Sequence, residues 1–90
     1  MPRVSFFGIV REIVGEKETL ISGGDTVGSL LEAISAKYGM RFNEKVMETP
    51  ERKLDLILLL NGRHIEHIGG LSAPVKEEDH LAVFPLVGGG

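Results

Sequence analysis

The chain has 90 residues, a formal charge of −3, 42% hydrophobic and 26% charged residues, which describes one small globular domain and not a disordered segment. No basic cluster supports nucleic-acid binding, and the absence of cysteine removes disulfides, thiolate metal sites and side-chain sulfur chemistry, so any sulfur the chain handles must arrive from elsewhere. The longest apolar run, residues 56–60, is too short to span a membrane, and Met1-Pro2-Arg3 shows no signal-peptide pattern, so a cytoplasmic location is expected.

Residues 4–10 are rich in β-branched and aromatic side chains, which predicts a strand with Val4 and Phe6 on one face. Arg11 leads into a turn at Gly15, and residues 17–22 read as a second strand that completes a hairpin. After a turn at Gly23-Gly24-Asp25, Thr26 has the character of an N-cap. Val27, Leu30, Leu31, Ile34 and Tyr38 then mark one face of an amphipathic helix, with Gly39 at the position of a left-handed C-terminal residue. Residues 40–53 are mostly polar; they have room for a short helical turn that Pro50 breaks. Residues 54–60, apolar except for Asp55, predict a central strand covered on both faces. Asn61-Gly62 signals a hairpin turn, and residues 63–66 return as a short strand. A loop at residues 69–74 and a charged turn at residues 76–79 precede an alternating last strand, residues 80–84. Pro85 stops that strand by removing a ladder donor. The order is ββαβββ: an α+β fold with one main helix on a mixed sheet of about five strands, residues 1–84, followed by an extended tail, residues 85–90.

The tail, Pro85-Leu86-Val87-Gly88-Gly89-Gly90, adds little to folding, because glycine is the residue whose backbone is costliest to order. It is suited to being threaded by another protein, since glycine lets a backbone approach where a Cβ would clash. Six extended residues reach at most about 20 Å, enough to carry a carboxylate off a compact domain into a narrow active site. His64 and His67 straddle a turn with His80 elsewhere; that is too few ligands for a metal centre, and solvated loop histidines are the simpler reading. Glu77, Glu78 and Asp79 form an acidic turn that reads as solvated. No nucleophile–base constellation is present, so catalysis by the chain's own side chains is not expected.

With its first strand and start of the next segment (Val4-Ser5-Phe6-Phe7-Gly8-Ile9-Val10-Arg11-Glu12), its Leu60-Asn61-Gly62-Arg63 hairpin and its ending from Glu78 to Gly90, the chain resembles the ubiquitin-like sulfur-carrier family. Within it the resemblance is to the archaeal-type small subunit of molybdopterin synthase (MoaD), a relative of ThiS and the small archaeal modifier proteins. It covers essentially the whole chain and implies the ubiquitin-like β-grasp fold. Two positions depart from the family pattern: Leu86 stands where a second proline is usual, and Glu78 where the family usually has glycine before Asp79. Gly88 falls on a variable position, so Gly89 and Gly90 match the terminal pair and no proteolytic trimming is expected.

The resemblance implies a mechanism. An adenylating activating enzyme (MoeB/ThiF-like) uses ATP and magnesium to convert the Gly90 carboxylate to an acyl-adenylate; a persulfide or sulfide then displaces AMP and leaves a thiocarboxylate. A large molybdopterin synthase subunit (MoaE-like) takes up the tail, and the sulfur passes to a pterin precursor. Gly88, Gly89 and Pro85 serve threading; Phe7, Ile57 and Phe84 are the aligned candidates for an apolar docking patch, though strand alternation alone leaves open that they are core residues. The domain itself binds no cofactor or metal. The same activated Gly90 could instead be captured by target-protein lysines, as in protein modifiers, and these two roles differ only in the acceptor. A carrier for thiamine or tRNA sulfur is a third reading, disfavoured for thiamine by the extra length at residues 40–53. An interaction domain with an inert tail is a fourth.

Overall fold

The computed structural model describes residues 1–39 and 56–85. In strand β1 (Arg3–Phe6) Val4 and Phe6 are wholly buried on the core face, Ser5 is buried on the other face, and Arg3 is exposed. The strand ends at Phe6, four residues short of the sequence expectation. Phe7, in an extended conformation, caps the seven-residue helix α1 (Gly8–Val14), and Gly15 closes that helix in the left-handed conformation at φ 82°. The physical reason lies in spacing. Val10, Ile13 and Val14 fall at i, i+3 and i+4, so a helix turns all three toward the core, and this packing outweighs the β preference of valine and isoleucine.

Strand β2 (Glu18–Leu20) pairs antiparallel with β1, placing Thr19 opposite Val4. Helix α2 (Val27–Tyr38) begins as expected at Thr26. Thr26 Oγ1 accepts from the Ser29 N–H at 3.1 Å, and Ser29 Oγ accepts from the Thr26 N–H at 3.0 Å, so two otherwise orphaned donors are satisfied reciprocally. Val27, Leu30, Leu31 and Ile34 are buried, and the Phe6 ring meets the edge of Tyr38 at 5.7 Å. Gly39 has the expected positive φ of 74°, but its ψ of −151° lies outside the left-handed helical region. The expected helical turn within residues 40–53 lies outside the described residues.

Strand β3 (Leu56–Leu60) and strand β4 (Arg63–His64) are joined by Asn61 and Gly62 at φ 52° and 86°, the positive pair that a two-residue hairpin turn demands. The return strand is shorter than expected, because Ile65–His67 turns into a 3-10 helix that buries Ile65; a second 3-10 turn, Gly70–Ser72, interrupts the following loop. Strand β5 (His80–Pro85) runs parallel to β1 and antiparallel to β3.

The sheet order is β2-β1-β5-β3-β4. The five-stranded mixed sheet with its main helix agrees with the expected α+β architecture, but the central strand is β5 and not β3. One side of β3 enters the core through Leu58 and Leu60, while Ile57 and Leu59 remain half-exposed on the other. The core lies between α2 and one sheet face, with Val4, Phe6, Leu58, Leu81 and Val83 facing Leu30 and Ile34. Burying each of the larger side chains contributes roughly 1.5–3 kcal/mol. Among the described residues, no helix is long and apolar enough to cross a membrane.

Candidate docking face and tail exit

Alternation decides what the second sheet face carries. With Leu81 and Val83 turned to the core, β5 presents His80, Ala82 and Phe84 on the opposite side; with Leu58 and Leu60 turned inward, β3 presents Ile57 and Leu59 there. Register then brings these side chains together. Ile57 pairs with Phe84 and Leu59 with Ala82, and directly opposed side chains on antiparallel strands lie within contact of each other. Phe7, just beyond β1, stacks its ring on Phe84 with centroids 4.4 Å apart and planes 9° from parallel.

The three candidates Phe7, Ile57 and Phe84 are therefore neighbours on the sheet face that α2 leaves uncovered, and all three are half-buried. Leu59 and Ala82 extend the same patch. They escaped the sequence reading, although their spacing of two from Ile57 and Phe84 is the signal that places them on that face.

Polar groups border the patch. Ser5 Oγ and His80 Nε2 share a hydrogen bond of 2.6 Å. Arg11 Nε donates to the Phe6 carbonyl at 3.1 Å, and its guanidinium sits 5.7 Å from the centre of the Phe7 ring. Arg11 and Lys17 line a shallow cleft with Ser5, Phe7 and Glu18.

Pro85 is the last residue of β5, opposite Leu56, and follows directly on the Phe84 ring that stacks with Phe7. Gly88, Gly89 and Gly90 lie outside the described residues. Of the histidines, His64 and His67 meet edge to face at 6.0 Å, and His64 Nδ1 accepts from the Glu66 N–H at 3.2 Å. Among the described residues, no three His, Cys, Asp or Glu side chains come together as a cation site.

The acidic turn is not uniformly solvated as its composition suggested. The Asp79 carboxylate accepts from the Lys76 N–H at 2.8 Å and from Asn61 Nδ2 at 2.9 Å, while Asn61 Oδ1 accepts from the His80 N–H at 3.0 Å. The Lys76 backbone bond first, and Asn61 second, hold the Asp79 carboxyl below its ordinary range. Asp79 thus ties the β3–β4 turn to the start of β5.

Comparison with known proteins supplies the remaining context. The model of the ThiS family matches residues 4–90. Small archaeal modifier protein 3 of Haloferax volcanii is 33% identical over 87 residues, covering 94% of both chains. Sulfur carrier protein CysO of Mycobacterium tuberculosis is 26% identical over 90 residues, covering 97% of this chain and 96% of the relative. Among solved structures, the BexX/CysO complex of Amycolatopsis orientalis contains a chain that superposes with a TM-score of 0.78 at 28% identity, covering all of both chains. A Pyrococcus furiosus protein provisionally named molybdopterin converting factor subunit 1 superposes with a TM-score of 0.71 at 27% identity, covering 96% of this chain and 97% of that one.

Proposed function

Because this chain belongs to the ThiS family of ubiquitin-like sulfur carriers, we propose that it carries sulfur on its C-terminal Gly90 and delivers it as the small subunit of molybdopterin synthase. In this reading the Gly90 carboxylate attacks the α-phosphate of ATP in an adenylating partner and releases pyrophosphate. Sulfide then displaces AMP to give the thiocarboxylate directly; a persulfide donor displaces AMP to give an acyl disulfide, whose S–S bond a second thiol on the donor protein must cleave, releasing the thiocarboxylate and leaving a disulfide on the donor. The domain supplies a docking face and the tail supplies the reacting end; ATP and its magnesium belong to the partner. Activation is needed because the carbon of a carboxylate is a poor electrophile and its oxygen a poor leaving group; AMP supplies the leaving group.

One observation carries this reading: a family match that runs through the Gly88-Gly89-Gly90 ending, attached to a domain whose last strand brings Phe84 and Pro85 beside an uncovered apolar patch. A cluster of partly exposed apolar and aromatic side chains on one sheet face supports an interaction site there. The resemblance to molybdopterin synthase small subunits and the likeness to the Pyrococcus protein support the assignment of the acceptor. The 33% identity to a small archaeal modifier protein favours a second reading, in which the same activated Gly90 is transferred to lysines of other proteins.

Intact mass measurement of the chain isolated from its own cells, with adducts mapped, separates the two. Replacement of one Gly90 oxygen by sulfur is the expected result. Gly90 found only in isopeptide bonds to lysines would make the protein a modifier, and an unmodified carboxylate throughout would overturn both readings.

A further inference from the structure

Gly8 combines two features that the other turn glycines do not share. Its φ of +60° lies in the left-handed region, and a Cβ built on it would stand 2.8 Å from Pro85 Cγ and 3.2 Å from Pro85 Cδ. Gly15 and Gly62 also have positive φ, at 82° and 86°, but open space surrounds the position of their absent side chains. Backbone conformation alone therefore accounts for those two, whereas at Gly8 the missing side chain also makes room for another residue.

That residue stands where the chain leaves the sheet. The β1–α1 junction grips the end of β5 at three successive positions. The Phe7 N–H donates to the Val83 carbonyl at 3.0 Å, the Phe7 ring stacks on Phe84, and Gly8 receives the Pro85 ring. Proline already has φ locked near −65°. A ring that is also seated against fixed backbone fixes the Cα–C bond of Pro85, the axis about which the following peptide turns.

We propose that Gly8 is a positioning residue for the C-terminal carboxylate: its bare Cα lets Pro85 seat against the β1–α1 junction, and this contact sets the direction in which the tail departs from the docking face. The functional part rests on the reading that Gly90 is the reacting end. A partner that docks on the Phe7–Phe84 face must receive Gly90 at a fixed point in its own active site. Departure at the wrong angle costs productive encounters without weakening docking. A small misplacement of a reacting group lowers turnover steeply even when binding is intact.

The test uses the full chain with Gly8→Ala, Pro85→Ala and both together. Each is combined with Val87→Cys, which carries a nitroxide on a chain that otherwise has no cysteine. Paramagnetic broadening of backbone amides reports where the tail lies, independently of any activity. Gly8→Ala and Pro85→Ala should each at least double or halve the broadening at amides around α1 and β3. Adding Gly8→Ala to Pro85→Ala should then change nothing further, because the contact is already gone.

In parallel, the turnover of Gly90 by an adenylating enzyme, measured on the unlabelled variants, should fall on the order of ten-fold or more in kcat, with KM for the chain unchanged. The proposal is overturned if Pro85→Ala leaves the tail distribution unaltered. It is equally overturned if Gly8→Ala has the same effect in both backgrounds, since that is the signature of backbone strain alone. If Gly8→Ala does not fold, Pro85→Ala decides by itself. If the unaltered chain is never activated, the reading of Gly90 fails while the broadening still decides the role of Gly8.

Discussion

Tyr38 is the one tyrosine of a chain without tryptophan, so its ionisation can be followed by absorbance with no competing signal. Its hydroxyl donates to Glu16 Oε1. Burial first, and then the hydrogen bond and charge of Glu16, push its pKa up to about 12. The neutral phenol is the form the fold prefers. Its contribution to stability is complete below the ordinary value near 10 and is lost as the pH rises from there to about 12, where the folded state binds more protons than the unfolded one. An ultraviolet titration should place the folded midpoint near 12 and the urea-unfolded midpoint near ~10. Glu16→Gln should lower the folded midpoint by removing the adjacent negative charge; no movement would mean that Glu16 is not the partner. At this scale the sequence was informative wherever a residue acts through its own backbone neighbours. Thr26 as a cap and Asn61-Gly62 as a turn follow from local chemistry alone. The Glu16–Tyr38 and Asn61–Asp79 bonds join residues far apart in the chain, and no local pattern announces them.

Elements were legible where one periodicity dominated. Helix α2 shows five apolar positions on one face, and the structure buries or half-buries all five. Helix α1 was missed because its β-branched residues favour a strand, and only their packing at i, i+3 and i+4 overrides that preference. Strand β3 taught the opposite lesson: its unbroken apolar run suggested cover on both faces, yet Ile57 and Leu59 stand half-exposed. An apolar strand face that stays half-exposed among the described residues is what a docking surface requires. The three candidates Phe7, Ile57 and Phe84 could be named from resemblance, but their adjacency depends on the Ile57–Phe84 register and the Phe7–Phe84 stack, which only the folded chain supplies. Ile57→Lys tests the face as an element. The substituted ammonium can reach solvent from a half-exposed site, so stability should change by no more than about 1 kcal/mol. Activation of Gly90 by an adenylating enzyme should weaken mainly through a raised KM, since truncating or charging a central interface residue typically costs more than ~1 kcal/mol of binding. An unchanged KM would remove Ile57 from the docking surface.

For the whole molecule, the proposed reading divides folding and function between two parts of the chain. Every buried apolar side chain of the described core lies from Val4 to Val83, while the reacting end expected from family membership is Gly90. The two parts meet at Pro85, which closes β5 and rests against Gly8. This division predicts that Gly90→Ala separates stability from activation. A methyl group added beyond the core removes no core contact, and substitutions away from packed or strained positions change stability by about 0.5 kcal/mol or less. For a domain of this size that corresponds to a melting shift of no more than about 2–4 °C. Under the proposed reading the partner's channel closes around bare backbone, so the same methyl would displace the carboxylate from the α-phosphate that it attacks. Acyl-adenylate formation, read as pyrophosphate release, should therefore fall on the order of ten-fold or more, as expected when a reacting group is misplaced by a fraction of an ångström to an ångström. The pair of measurements discriminates among three situations. Equal melting with lost activation supports a tail that is threaded. Equal melting with normal activation means that the channel tolerates a side chain, so the glycine run is not needed for threading. A large melting loss would mean that the tail packs on the domain, and the division between a folded body and a reacting end would no longer hold.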